Sequence, residues 1–177
     1  MSLEDWNARY RAAREEAGEN DELDTEPAKL LVEAVADIAP GRALDLACGA
    51  GRNAIWLARN GWEVVAVDGA SEAIRLVREH EPRVEGRVLD LETGAPLPFE
   101  DDSFDLAVIL YYLHRPLFAE ARRVVRPGGL IVTAVRTRGI NPRFCVSPGE
   151  LVTFFEGWDV LHQRDGEIAE VVARRSQ

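Results

Sequence analysis

The sequence predicts an α/β fold: a parallel sheet covered by helices on both faces and finished by an antiparallel strand. Three observations predict it. From Arg42 onward, short apolar runs alternate with amphipathic helical ones. Those runs are apolar almost throughout, as strands buried on both faces are. A glycine pair, Gly49 and Gly51, stands between the first run and the helix that follows it.

Each element has its own signal. Leu3 to Ala17 is charged and helix-prone, and Trp6, Tyr10 and Ala13 form one stripe at spacings of four and three. Gly18 to Glu26 is polar and reads as a loop. Pro27 suits the first turn of a helix whose apolar face is Leu30, Leu31, Ala34, Val35 and Ile38, and Pro40-Gly41 ends it. A strand over Ala43 to Ala47 follows, then a helix from Arg52 to Asn60 closed by Gly61. Glu63 to Val67 is a β-branched strand. Ser71 is placed to cap a helix running to His80. Val84 to Asp90 and Phe104 to Leu110 are the third and fourth strands. Leu117 to Val125 is a helix stopped by Pro127-Gly128-Gly129, and Leu130 to Val135 is the fifth strand. Ser147-Pro148-Gly149-Glu150 is a helix start with a hydroxyl cap and a glutamate in capping-box position. Trp158 to Arg164 and Ile168 to Arg174 flank Asp165-Gly166-Glu167, a hairpin signal. Residues 1–26 thus read as an N-terminal helix and loop suited to a lid, and 27–177 as a single domain.

Composition excludes several functions. The 177 residues carry 21 Lys and Arg against 31 Asp and Glu, a net charge of −10. That opposes sequence-independent nucleic-acid binding and an anionic membrane surface, both of which need clustered positive charge. Cys48 and Cys145 are too few for a disulfide framework or a cysteine zinc site, and His80, His114 and His162 lack ligand spacing, so no metal is expected. No apolar run reaches membrane-spanning length and no signal core opens the chain, so the cytoplasm is expected.

The chemistry concentrates in residues 43–70. Glycine at a strand-to-helix turn permits positive φ and close approach of a ligand to a helix N-terminus. Gly49, Gly51 and Ala54 even fit the dinucleotide pattern G-x-G-x-x-A. Three carboxylates sharpen the reading. Asp45 lies just before the glycines, where it would repel a pyrophosphate but suits an ammonium and a sulfonium. Asp68, 17 residues after Gly51, ends the second strand and is placed to hold ribose hydroxyls. Asp90 ends the third and is placed to accept from an adenine amino group. Simpler readings stand beside these: a tight turn for the glycines, packing for Cys48, a strand-end cap for Asp90, and a hydrophobic staple for Trp6 and Tyr10 in place of a lid.

The stretches DLACGAG, VVAVDGA, VLDLE, FDLAVIL and RVVRPGGLIV resemble, in order and spacing, the class I S-adenosylmethionine-dependent methyltransferases, over roughly Leu30 to Ala173. Within them, WNARY, YYLHRP and NPRFCVSPGEL look most like the small bacterial tellurite-resistance (TehB-like) members. The resemblance implies a Rossmann-like, doubly wound seven-stranded sheet of order 3-2-1-4-5-7-6 with the last strand antiparallel. It implies that Asp45, Cys48, Gly49 and Gly51 line the methionine part of S-adenosyl-L-methionine, with S-adenosyl-L-homocysteine as product. Asp68, Gly69 and Ala70 would take the ribose, Asp90 and Leu91 the adenine, and Leu110 with Tyr111 would face the methyl. Ala47 stands where many members have glycine.

Tyr111 and His114, after the fourth strand, are the candidate catalytic residues, because open α/β sheets place ligands at carboxyl strand ends. Adjacent Tyr111 and Tyr112 cannot both point inward from a regular strand. Trp6, Tyr10, Arg136 and Arg138 are candidate acceptor-binding residues, with Arg143 nearby in sequence; solvated loops are the simpler reading for the arginines. The expected function is methyl transfer to a small-molecule acceptor, with no nucleic-acid or membrane partner. No clear general base and no DPPY or NPPY motif favour a soft nucleophile: a thiol, a selenium or tellurium oxyanion, or a halide. The alternatives are an NAD(P)-dependent oxidoreductase, which lacks a Tyr-x-x-x-Lys here, and a non-catalytic cofactor-binding module.

Overall fold

The structure is a computed structural model that describes residues 2–17, 26–139 and 141–177. It contains a seven-stranded sheet of order β3-β2-β1-β4-β5-β7-β6, the order the resemblance implies. The chain forms two compact units, Met1–Leu91 and Glu92–Gln177.

In the first unit, α1 (Leu3–Ala17) opens with a reciprocal cap. Ser2 N–H donates to Asp5 Oδ2 at 2.7 Å, and Asp5 N–H donates to Ser2 Oγ at 3.2 Å. Of the stripe Trp6, Tyr10 and Ala13, the first two are half-buried but Ala13 is exposed. The loop expected over 18–26 lies outside the described residues apart from Glu26. Helix α2 (Lys29–Val35) begins two residues after Pro27, not with it. A tertiary bond sets that start: Ala28 N–H donates to the buried Asn53 Oδ1 at 2.9 Å, which holds Ala28 extended in the N-cap position.

Strands β1 (Arg42–Leu46), β2 (Glu63–Asp68) and β3 (Glu85–Val88) pair in parallel, with Asp45 opposite Ala66 and Asp68 opposite Val88. Helices α3 (Arg52–Arg59) and α4 (Ser71–His80) pack on them through Ala54, Ile55, Leu57, Ile74 and Val77. Two strand ends differ from expectation. Ala47 lies past β1 with φ 57°, a left-handed conformation that ends the strand one residue early. β3 is four residues long, so Asp90 falls two residues beyond it.

In the second unit, β4 (Phe104–Leu110) pairs in parallel with β5 (Val125–Arg136). The strand β7 (Ile168–Arg174) is antiparallel to both β5 and β6 (Asp159–Arg164). Helix α5 (Arg115–Val124) starts two residues earlier than expected and leads straight into β5, so Pro127-Gly128-Gly129 lies inside that strand's span. A Cβ at Gly129 would stand 2.9 Å from the carbonyl oxygens of Arg126 and Asp105, which explains the glycine at this crowded bend. Helix α6 (Glu150–Thr153) has only four residues. Half of the expected capping box forms: Ser147 N–H donates to Glu150 Oε2 at 2.8 Å. The N-cap itself is Gly149 at φ 76°, not the Ser147 hydroxyl.

Candidate functional site

The residues singled out between Asp45 and Ala70 converge in the first unit. The turn after β1 is closed by the Gly51 N–H on Cys48 O at 3.0 Å, with Gly49 at φ 56° and Gly51 at φ 90°. A Cβ on Gly51 would also sit 2.5 Å from Val77 Cγ2 on α4. That glycine therefore serves helix packing as well as the turn.

Asp68 laces the turn to the end of β2. Its Oδ2 accepts the Gly49 N–H at 2.9 Å, and its Oδ1 accepts the Ala70 N–H at 2.8 Å. Each carboxylate oxygen keeps a second lone pair, so the group can still receive a vicinal diol. Burial raises the Asp68 pKa, and the N–H donors of Ala70, Gly49 and Gly69 partly offset the rise.

Asp45 is 1% exposed, and its Oδ2 has no hydrogen-bond partner among the described residues. Burial pushes its pKa up to about 7; the Ala54 N–H works against the shift and the Asp68 charge adds to it. A buried oxygen without a donor is costly, and a cationic ligand would relieve it. Burial, then the Asp45 and Asp68 charges, raise the Cys48 thiol well above its ordinary range. Cys48 is a buried free thiol in the turn.

Helix α1 lies over both loops. A Cβ at Gly49 would stand 3.0 Å from the Tyr10 hydroxyl, and one at Gly69 would stand 2.5 Å from Leu3 Cδ2. Both glycines thus let the Tyr10 and Leu3 side chains approach the backbone closely. Burial, then the Asp68 carboxylate, raises the Tyr10 hydroxyl pKa, so it is a neutral donor at physiological pH. Trp6 stacks on Tyr10 with centroids 5.9 Å apart, and Arg9 lies 5.3 Å from the centre of the Trp6 ring. Asp90 is exposed beyond β3, while Leu91 is buried.

The second unit holds the other candidates. Leu110 is buried at the end of β4. Tyr111 follows it at φ 61° and 48% exposed, with its N–H on Ala134 O at 2.6 Å. A left-handed aromatic residue is a strained one, and strain of this kind gathers at functional sites. The bend also removes the regular strand geometry that separates Tyr111 from Tyr112. His114 is the N-cap residue of α5, and its Nε2 is buried without a partner among the described residues. Arg136, the last residue of β5, and Arg138, two residues beyond it, are both exposed. Arg143 is engaged, 3.6 Å from Glu92 and stacked over Phe144 at 5.6 Å, so it does not simply add to a free basic cluster.

Comparison with known proteins places this arrangement. The methyltransferase domain family matches residues 44–133, half of the chain. The chain belongs to that family. It is a class I, S-adenosylmethionine-dependent methyltransferase domain in sequence motif and sheet order. It is 39% identical to a demethylmenaquinone methyltransferase of Clavibacter sepedonicus over 56% of the chain and 42% of that protein. It is 32% identical to the ribosomal RNA small subunit methyltransferase C of Alcanivorax borkumensis over 52% of the chain and 31% of that protein. The chain thus spans less than half the length of either relative. Among solved structures, TehB from Haemophilus influenzae shares the fold, with TM-score 0.75 at 18% identity, covering 82% of this chain and 61% of that one. Family membership does not favour the oxidoreductase and non-catalytic alternatives.

Two further residues, Asn53 and Asn7, hold these elements in place. Asn53 reads as an ordinary helix residue, yet it is buried and sets the start of α2. Asn7 lies on the docked face of α1, which runs through Leu3, Asn7, Tyr10 and Arg14. A search for apolar residues alone points instead to Trp6, Tyr10 and Ala13. The 3, 7, 10, 14 spacing is the signal that finds it. No helix among the described residues is long and apolar enough to cross a membrane.

Proposed function

We propose that the chain binds S-adenosyl-L-methionine through Asp45, Cys48, Gly49, Gly51, Asp68, Gly69, Ala70, Asp90, Leu91 and Leu110, and catalyses methyl transfer to a small-molecule acceptor. One observation carries the reading: the unpartnered Asp45 oxygen buried beside a glycine turn that Asp68 holds open to a diol. A ligand with an ammonium, a sulfonium and a ribose satisfies both carboxylates; a dinucleotide pyrophosphate would meet Asp45 as a like charge.

When bound, the cofactor supplies an activated methyl on sulfur. The protein's part is to bind, orient and exclude water. Asp68 takes the ribose hydroxyls and Asp45 the positive methionine end, while Asp90 and Leu91 flank the adenine. Tyr10 and Trp6 cover the Gly49 turn, residues 1–26 acting as a lid on a domain of 27–177. Tyr111 and His114 handle the acceptor, and their place at the carboxyl end of β4 supports that role. His114, whose Nε2 has no partner among the described residues, is the candidate to receive a proton from a thiol or hydroxyl acceptor. Arg136 and Arg138 attract an anionic one.

The acceptor is a soft nucleophile: a thiol, or a selenium or tellurium oxyanion. The net charge of −10 supports a small molecule over nucleic acid or membrane. Calorimetry with S-adenosyl-L-methionine tests the cofactor. A panel of thiols, selenite, tellurite, phenols and ribosomal RNA, read by S-adenosyl-L-homocysteine release, tests the acceptor. Turnover with a thiol or chalcogen oxyanion is expected; turnover with RNA alone would overturn the small-molecule assignment.

A further inference from the structure

Helix α4 begins without a cap of its own. Ala70, extended at φ −83°, holds the N-cap position and has no side-chain oxygen, and Ser71 already lies in the first turn. The cap comes instead from α1. Asn7 Oδ1 accepts the Glu72 N–H at 2.9 Å and the Ser71 hydroxyl at 3.2 Å. The same helix face places Leu3 against Gly69 and Tyr10 against Gly49, and carries Arg11 and Arg14 to 3.6 Å from Glu72 and 3.7 Å from Glu79. The two arginine contacts are exposed and long, so they contribute little. The asparagine bond is short and directional, and it satisfies an N–H that the helix leaves unpaired.

We infer that Asn7 is a positioning residue for the cofactor, locking α1 to the first turn of α4 so that the Asp68–Ala70 turn and the Tyr10 cover over Gly49 are set by one contact. The inference rests on the cofactor assignment above. Its physical content is a shared cap. The first turn of α4 starts three residues after Asp68, and the Ala70 N–H in between is one of the donors that orient the Asp68 carboxylate. Lifting α1 away exposes the Gly49 turn and frees the Glu72 N–H in the same movement. Cofactor held under α1 therefore leaves only when the α4 cap breaks, and retention of the cofactor depends on a residue that need not touch it.

The test uses the full chain with Asn7→Ala and Asn7→Asp. Amide hydrogen exchange at residues 70–72 reads the cap without ligand, and calorimetry reads affinity for S-adenosyl-L-methionine. Asn7→Ala is expected to speed exchange at Glu72 and weaken the cofactor about five- to tenfold, the size of a lost helix cap. Asn7→Asp keeps an acceptor, suits a helix N-terminus, and is expected to restore both readouts. A general loss of stability would not be rescued in that pattern. Unchanged affinity in Asn7→Ala beside a binding wild type overturns this role alone, as does failure of Asn7→Asp to restore it. A wild type that binds no S-adenosyl-L-methionine overturns the cofactor assignment and this role with it.

Discussion

The Gly49 N–H donates to the Asp68 carboxylate at 2.9 Å, joining the turn after β1 to the end of β2. The other Asp68 oxygen holds the Ala70 N–H at 2.8 Å, so one side chain orders both loops that the cofactor would touch. Hydrogen bonds to a charged group contribute about 1.5–3 kcal/mol each. Asp68→Ala is expected to abolish calorimetric binding of S-adenosyl-L-methionine. Asp68→Asn, which turns an N–H donor toward one of the two amides, is expected to weaken it at least tenfold (~1.4 kcal/mol). Wild-type affinity in Asp68→Ala would remove Asp68 from the site.

Asp45 makes the ligand-free protein sensitive to pH in a defined direction. An unfolded aspartate releases its proton near its ordinary value of 3.8, while the folded carboxyl holds it up to about 7. Between those values the folded state binds the extra proton. The stabilising contribution is therefore complete below pH 4 and lost as pH rises through 7. A shift of that size corresponds to on the order of 4 kcal/mol. Asp45→Asn stays neutral throughout, so its melting temperature is expected to exceed that of wild type at pH 8, with the gap narrowing steadily down to pH 4. The same variant is expected to bind the cofactor more weakly. A wild type and variant with parallel melting profiles would contradict this.

Ala47 adopts φ 57° immediately after β1. A left-handed conformation costs a residue with a Cβ about 1–2 kcal/mol, and glycine's greater freedom in the unfolded chain returns about 0.5–1 kcal/mol of that. Ala47→Gly is expected to raise the melting temperature by about 2 °C. A drop would show that the Ala47 methyl makes a contact worth more than the strain.

Tyr111 carries the same strain at φ 61° while 48% exposed. About half of it is buried, so in Tyr111→Gly the lost contact offsets the relieved strain, and thermal stability is expected to stay nearly unchanged. Release of S-adenosyl-L-homocysteine with the working acceptor is expected to fall at least tenfold. Tyr111→Phe keeps the ring and separates its role from the hydroxyl's. Full turnover in Tyr111→Gly would leave the strained tyrosine without a part in transfer.

Much of this was legible in the sequence. Alternating apolar runs locate β1, β2, β4 and β7 to within a residue or so, because a strand buried on both faces must be apolar along its length. Asp45, Gly49, Gly51 and Asp68 were readable as one group, because a turn that exposes backbone to a ligand needs glycine and the carboxylates flank it at strand ends. The starts of α2, α4 and α6 differ from the local signals for a common reason: those signals are a proline or a hydroxyl. The caps in place are an Ala28 tied to Asn53, an Asn7 from another helix, and a left-handed Gly149.

The sequence by itself determined the class of fold, through residue type and spacing along the chain, and its resemblance to class I methyltransferases implied the strand order that the sheet has. Tertiary structure alone decided that Asn7 caps α4, that Tyr10 sits over Gly49, that one oxygen of Asp45 is left without a donor, and that Tyr111 bends out of β4. Each depends on what a residue meets across tens of positions in sequence. Burial and hydrogen-bond satisfaction are properties of such meetings, and no local pattern encodes them.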